Sequence, residues 1–175
     1  MSAITIIINV LLFQLAWFAG VLGAARDQPW IGVVAAAIVV AWHLARAVRP
    51  QRELALIGLA LLLGAGFETL LVHSGWLNYD SGIVVPGAAP VWMVALWANF
   101  ASTLNVSLRA LHGKPLIAAL LGVIGAPVSY YAGGTLGALE FVAMGPALAT
   151  IAAGWLVLTP LLFAAARRLD GYATR

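Results

Sequence analysis

Six long apolar runs, separated by short clusters of charge, glycine and proline, organise the chain. They cover about 3–25, 29–48, 54–72, 90–111, 115–132 and 146–166, each near the roughly 20 residues that one bilayer crossing needs. The fourth run differs from the others because it carries Asn99, Ser102, Thr103, Asn105 and Arg109 among tryptophans and aliphatics. At about 100° per residue, Asn99, Ser102, Thr103 and Arg109 share one broad face with Trp92 and Ala95. A polar stripe on an apolar helix must face protein or water, since unpaired amides and hydroxyls are costly in lipid. The pattern predicts an all-α membrane protein, a six-helix transmembrane bundle in one domain over 1–175, with the fourth helix at its centre.

The breaks between runs carry further expectations. Arg26 and Asp27 form a short turn before Pro29, and Arg46, Arg49, Pro50, Arg52 and Glu53 read as a charged turn lying outside hydrocarbon. His73 to Ala89 is rich in Gly and Pro, has no Lys or Arg, and reads as the longest loop, partly folded back into the membrane surface. Gly133 and Gly134 are expected to break the fifth helix. The following Leu136 to Met144 is too short to cross and reads as an interfacial turn of helix. A cleavable signal peptide is the competing reading of the first run, with Gly23 and Ala25 as small cleavage-site residues. Against it stand the missing basic n-region and an apolar run longer than the usual roughly 7 to 15 residues.

Composition agrees with a membrane protein: 63% of the 175 residues are hydrophobic, 9% are charged, and the mean hydropathy is +1.02. The net charge of +3 does not point to nucleic acid, because the basic residues sit in turns between apolar runs, as orientation signals do. In the six-span arrangement Arg46, Arg49, Arg52, Arg109, Lys114, Arg167, Arg168 and Arg175 fall on one side and only Arg26 on the other. The positive-inside rule then makes both termini cytoplasmic. With no cysteine in the chain, disulfides, thiolate metal sites and cysteine nucleophiles are excluded. No internal repeat relates the first three runs to the last three, so an inverted-repeat transporter gains nothing from the sequence.

With that topology Glu68, Asp80 and Glu140 gather in or near the outer half, together with His73, Tyr130 and Tyr131. Intramembrane ionisable groups cost about 2.5 to 3.5 kcal/mol on insertion scales and usually face the bundle interior, where they pair or work. Glu68 is accordingly the candidate general acid or base, weighed against a protonated carboxyl that merely bonds Gln14 or Asn99 between helices. Asp80 and Glu140 read as solvated near the headgroups. His43 and His112 lie toward the inner side and His73 toward the outer, so no histidine pair is placed to hold a metal or haem. The His73-Ser74-Gly75 triplet has no partner histidine on a later helix and is a weak match to intramembrane serine proteases. Most of the seven tryptophans fall near span ends, where an interfacial belt accounts for them. Trp17 and Trp97 are better placed to line a pocket.

Asn9, Gln14, Trp17 and Phe18 in the first run carry a resemblance that continues in the fourth through Pro90, Trp92, Leu96, Trp97, Phe100, Thr103, Leu104, Ser107 and Leu108. It extends through Gly125, Pro127, Tyr130, Tyr131, Gly133 and Gly137. By these residues the chain resembles, over nearly its full length, a bacterial family of small inner-membrane proteins known only as a domain of unknown function. Members often have histidine where this chain has Val106 and aspartate where it has Glu68, which argues against a histidine-dependent activity here. The resemblance implies a gene neighbourhood of fatty-acyl methyltransferase, flavin oxidoreductase and photolyase-like genes, and hence membrane-lipid modification or stress response.

Three readings follow. In the first, a catalyst or accessory subunit in the bacterial inner membrane acts on a lipid-like molecule in a polar pocket of the outer half. Its lining is Gln14, Trp17, Trp97, Asn99, Thr103 and Tyr130, with Glu68 as catalytic residue, no metal and no cofactor. Its partners are membrane lipid and either further copies of itself or a membrane enzyme. In the second, a small proton-linked carrier uses Glu68 as the coupling acid beside a polar path through Asn99, Thr103 and Asn105 to Arg109. In the third, a scaffold uses its polar groups only to hold helices together. In each, Asn99 is expected to contact the Gln14 region, while the outer loop, the fifth helix near Tyr130, or a water satisfies Glu68.

Overall fold

A computed structural model describes residues 2–173. It is all-helical apart from one two-stranded ladder: α1 (Ala3–Ala24), α2 (Pro29–Arg46), α3 (Pro50–Ser74), β1 (Leu77–Asn78), α4 (Val91–Leu104), α5 (Pro115–Thr135), β2 (Glu140–Phe141) and α6 (Met144–Arg168). Local chemistry sets the helix ends. The Ser2 hydroxyl accepts from the Thr5 N–H and caps α1. Proline opens α2, α3 and α5, where its missing N–H costs nothing, and Gly75 ends α3 in the left-handed conformation at φ 67°.

Five helices, α1, α2, α3, α5 and α6, are long and apolar enough to cross a membrane. The sixth, α4, has 14 residues, ten of them buried, and packs against α1, α2, α3 and α6. The polar stripe thus marks the central helix, as its chemistry requires. Glycines bring neighbours close: a Cβ on Gly32 would lie 2.4 Å from the Gly20 Cα, so α1 and α2 meet backbone to backbone. α5 leans chiefly on α6, while α1 and α5 border a cavity.

Four expectations need correction. First, α4 stops at Leu104, seven residues before the expected end, and the chain continues through a turn and a 3-10 turn at Arg109–Leu111. Asn9 holds that break, donating to the Ser102 carbonyl at 3.1 Å and accepting from the Ser107 N–H at 3.3 Å. Second, α3 begins at Pro50, so Glu53 is helical and fully buried instead of lying in a solvated turn. Third, Leu136 to Met144 is not a helical turn. Gly137 turns the chain at φ 86°, and β2 pairs antiparallel with β1, Leu77 opposite Phe141 and Asn78 opposite Glu140. Fourth, α5 continues through Gly133 and Gly134 to Thr135. The Phe141 ring lies 2.9 Å from where a Gly134 Cβ would sit, so a larger residue would push the ladder away.

One end of the bundle collects Arg46, Arg49, Arg52, Arg109, Lys114, Arg167 and Arg168 at helix termini and turns, and Arg26 lies at the other. Arg175 lies outside the described residues. We call these the basic end and the loop end.

Candidate functional site

The buried face of α3 carries Glu53, Ile57, Ala60, Gly64, Glu68 and Leu71, spaced three and four residues apart as one helical stripe requires. Glu68 lies six residues before the end of α3, about 9 Å inside it at 1.5 Å per residue. One turn earlier, Gly64 leaves room for an indole, since a Cβ there would lie 2.2 Å from the Trp97 ring. Trp97 of α4 therefore packs against α3 at Gly64 and reaches Glu68 with its N–H.

Three donors from three different elements converge on this carboxyl. Trp97 Nε1 donates to Oε1 at 2.9 Å, the Tyr79 hydroxyl to Oε2 at 2.9 Å, and the Tyr130 hydroxyl to Oε1. Tyr79 comes from the loop after β1, which folds inward: its ring meets Trp92 edge to face at 5.9 Å, and Trp92 Nε1 donates to the Ser81 carbonyl at 3.1 Å. A carboxyl offers about four lone-pair sites, so there is room on it for all three donors. The cage ties α3, α4, α5 and the loop together through one buried residue.

Beside it runs a cavity of about 530 Å³ bounded by α1, α4, α5 and α6, a volume typical of small-molecule sites. It extends from Val21 and Leu139 toward the loop end to Ser107 and Leu108 toward the basic end, and so exceeds the expected outer-half pocket. Of the expected lining, Gln14, Trp17, Trp97, Thr103 and Tyr130 border it. Asn99 does not: it faces α1, donating to the Phe13 carbonyl at 3.0 Å, next to Gln14. Glu68 does not border it either, and stands behind the wall that Trp97 and Tyr130 form. Trp17 Nε1 donates to the Ser129 hydroxyl at 2.9 Å, bridging α1 and α5. Trp155 of α6 stacks on Trp97 at 4.5 Å and 29° and makes a T-shaped contact with Phe100 at 5.3 Å.

The lining contains no Asp, Glu, Lys, Arg or His. Tyr130 is the one side chain on it with an ionisable proton, and it gives that proton's hydrogen bond to Glu68. The arrangement can hold an uncharged, largely apolar molecule and orient a phenol and indoles against it. Glu68 does not reach the cavity itself and meets it only through Trp97 and Tyr130, the two wall residues that donate to it.

Sequence reasoning missed a second buried polar cluster at the basic end. Glu53 Oε2 lies 2.9 Å from His43 Nε2, and its Oε1 accepts from Asn105 Nδ2 at 2.8 Å and from the Gly171 N–H at 2.6 Å. The Tyr172 hydroxyl donates to the His43 carbonyl at 2.6 Å. Burial, followed by the Glu53 charge, pushes the Tyr172 phenol up to about 12. Arg109 forms a forked pair with Asp170 at 2.5 and 3.3 Å, and Asp170 accepts from the Tyr172 and Ala173 N–H groups. His112 Nε2 donates to the Leu104 carbonyl at 3.0 Å, closing α4, and burial holds its imidazole below the ordinary value. The cluster latches the segment after α6 onto α2, α3 and the end of α4. The spacing of Glu53 from Ile57 and Ala60 was the available signal, masked by Arg49 and Arg52 beside it.

Residues 6–161 match the model of a family described as protein of unknown function (DUF2878). No curated protein and no solved structure matches the chain.

Proposed function

The chain belongs to the DUF2878 family of unknown function, and we propose that it is a bacterial inner-membrane protein that binds, or helps to modify, a lipid-like molecule in the cavity between α1 and α5. The observation that carries this reading is the cavity itself: about 530 Å³, uncharged, walled by stacked indoles and bounded by four membrane-length or buried apolar helices. A molecule entering from the bilayer would meet apolar and aromatic surface with a few polar groups to orient it, the usual make-up of a ligand site. In this reading both termini are cytoplasmic, following the basic end, and Glu68 acts through Trp97 and Tyr130. The partners are membrane lipid and either further copies of the chain or a membrane enzyme that carries out the chemistry.

The carrier reading has less support. Trp97 and Leu104 are buried along α4, Ser102 and Thr103 donate to carbonyls of their own helix, Asn99 Nδ2 to the Phe13 carbonyl and Asn105 Nδ2 to Glu53, so the donors between Glu68 and Arg109 are occupied in packing and only the Asn99 and Asn105 side-chain oxygens are left without partners among the described residues. The scaffold reading leaves the cavity without a role.

The test is lipid mass spectrometry on purified protein. Gly125 borders the cavity, and a Cβ there would have only Leu121 nearby, at 4.0 Å, so a Gly125→Phe side chain starts in open space and its ring is expected to occupy part of the cavity. The wild type is expected to retain a defined lipid species near one per chain and the variant to lose it. Equal lipid content in both, or none in the wild type, would count against the reading.

A further inference from the structure

The α1 residues on the cavity are Val10, Phe13, Gln14, Trp17 and Val21, whose three- and four-residue spacing makes them one stripe of the helix. The α5 wall runs from Leu121 to Gly133. Burial is graded across both walls: Val21, Gly122 and Ala126 are buried, whereas Gln14, Leu121 and Gly125 are exposed. The cavity therefore opens sideways between α1 and α5, and Gln14 is the polar side chain at that mouth. The outward face of α1 is instead apolar, carried by Leu11, Leu15 and Phe18.

Gln14 stands near the middle of the 22-residue α1, close to the centre of a hydrocarbon layer about 30 Å thick. An amide without a partner is costly at that depth. From Asn9 onward the polar contacts of α1 are made by Asn9, the Phe13 carbonyl and Trp17, and the Gln14 amide makes none among the described residues. The other polar groups of the wall do not compete for a ligand there. Trp97 and Tyr130 donate to Glu68, Trp92 to the Ser81 carbonyl, Thr103 to its own helix, and Ser129 accepts from Trp17. The Trp155 N–H and the Thr159 hydroxyl have no accessible surface, and Ser107 lies toward the basic end, level with Asn9.

A primary amide both donates and accepts, so the partner that satisfies it does the same. A phosphate, carboxylate or ammonium head needs an opposite charge at this depth, and the lining offers none. We propose that Gln14 recognises the ligand at the mouth of the cavity, and that the ligand is an uncharged lipid whose polar end is a hydroxyl or a carboxamide. Fatty alcohols, partial glycerides and fatty amides share this chemistry. The inference rests on the proposed lipid-binding function and adds the ligand class and the residue that selects it.

Delipidated protein is titrated with oleoylglycerol, oleamide, methyl oleate and oleoyl lysophosphatidylcholine, with binding and oligomeric state followed by native mass spectrometry. Oleoylglycerol and oleamide are expected to bind about fivefold more tightly than methyl oleate, which accepts but cannot donate, the scale of one hydrogen bond. The charged lysophospholipid is expected to bind most weakly, and whichever of the first two binds better names the polar group. Gln14→Met keeps the length of the side chain and loses the amide; it is expected to melt as the wild type does and to bind oleoylglycerol, oleamide and methyl oleate alike. If methyl oleate binds the wild type as tightly as the other two, or if Gln14→Met keeps the wild-type preference, the ligand class is overturned and the lipid-binding function stands. If Gln14→Met turns a dimer into a monomer with the preference unchanged, the amide pairs with a second copy and the proposal falls in the same way. If the wild type binds no probe above the detergent background, both fall.

Discussion

Trp97 gives its indole N–H to Glu68 at 2.9 Å while its ring rests on Gly64 one turn earlier in the same helix. α4 is thereby fixed to α3 by a contact that needs a glycine, an indole and a carboxyl together. Replacing Glu68 tests the contact. Glu68→Gln keeps an oxygen for Trp97 and Tyr130, and the Tyr79 hydroxyl can rotate to accept from the new amide, so the variant is expected to fold with a modestly lower melting temperature. Glu68→Ala leaves three buried donors unpartnered, at about 1–3 kcal/mol each, and is expected to melt far lower or to aggregate. Thermal melts followed by size-exclusion chromatography separate the two; equal stability of Glu68→Ala and wild type would refute the strut role.

Gly64 supplies a matched prediction. A methyl group there overlaps the Trp97 ring, and overpacking of this kind costs about 1–3 kcal/mol. Gly58 and Gly66, on the same helix, have nothing within 4 Å of a Cβ, and alanine at either is expected to be neutral or to stabilise by about 0.5–1 kcal/mol through helix propensity. Comparing the three melting temperatures checks this, and a Gly64→Ala variant as stable as Gly58→Ala would show that the indole does not sit there.

At the opposite end, Tyr172 sets a pH prediction. Its folded value of about 12 exceeds the ordinary 10.0, so the folded state favours the neutral phenol. That contribution is fully present below pH 10 and is lost as pH rises through about 12. Titrating phenolate absorbance of the wild type against Tyr172→Phe should reveal one late component missing from the variant. The stability of Tyr172→Phe should vary less over that range. A component appearing near 10 would mean that the segment after α6 is not latched onto Glu53 and His43.

Orientation is open to direct test because the chain has no cysteine. A single cysteine replacing Asn78, at the loop end, should react with an impermeant maleimide on intact cells, and one replacing Lys114 should react only after permeabilisation. The reverse labelling would place the basic end outside and contradict the positive-inside assignment.

The helices were legible because their signals are local: apolar runs of crossing length, prolines at three helix starts, and a polar stripe that could belong only to a buried helix. The partners of Glu68 were legible in part, since depth along the helices pointed to the loop and to α5 near Tyr130. Trp97 as a partner was not, because it depends on Gly64 clearing a space on another helix. The Glu53 cluster escaped because its partners come from His43, Asn105 and Gly171, and only the fold brings them together. The early end of α4 was hidden for the same reason: Asn9, at the far end of the sequence, holds it. The β1–β2 pair is too short for alternation to register.

The central claim is that the α1–α5 cavity selects a lipid from the membrane. A photo-crosslinking amino acid at Phe13, which borders the cavity, compared with one at Leu62, which is 75% exposed on α3, measures this directly by mass analysis of the adducts from living cells. Phe13 is expected to yield adducts of one lipid species well above its share of the membrane, while Leu62 yields the bulk composition. The same bulk lipids at both positions, or only protein crosslinks from Phe13 to α5, would contradict it.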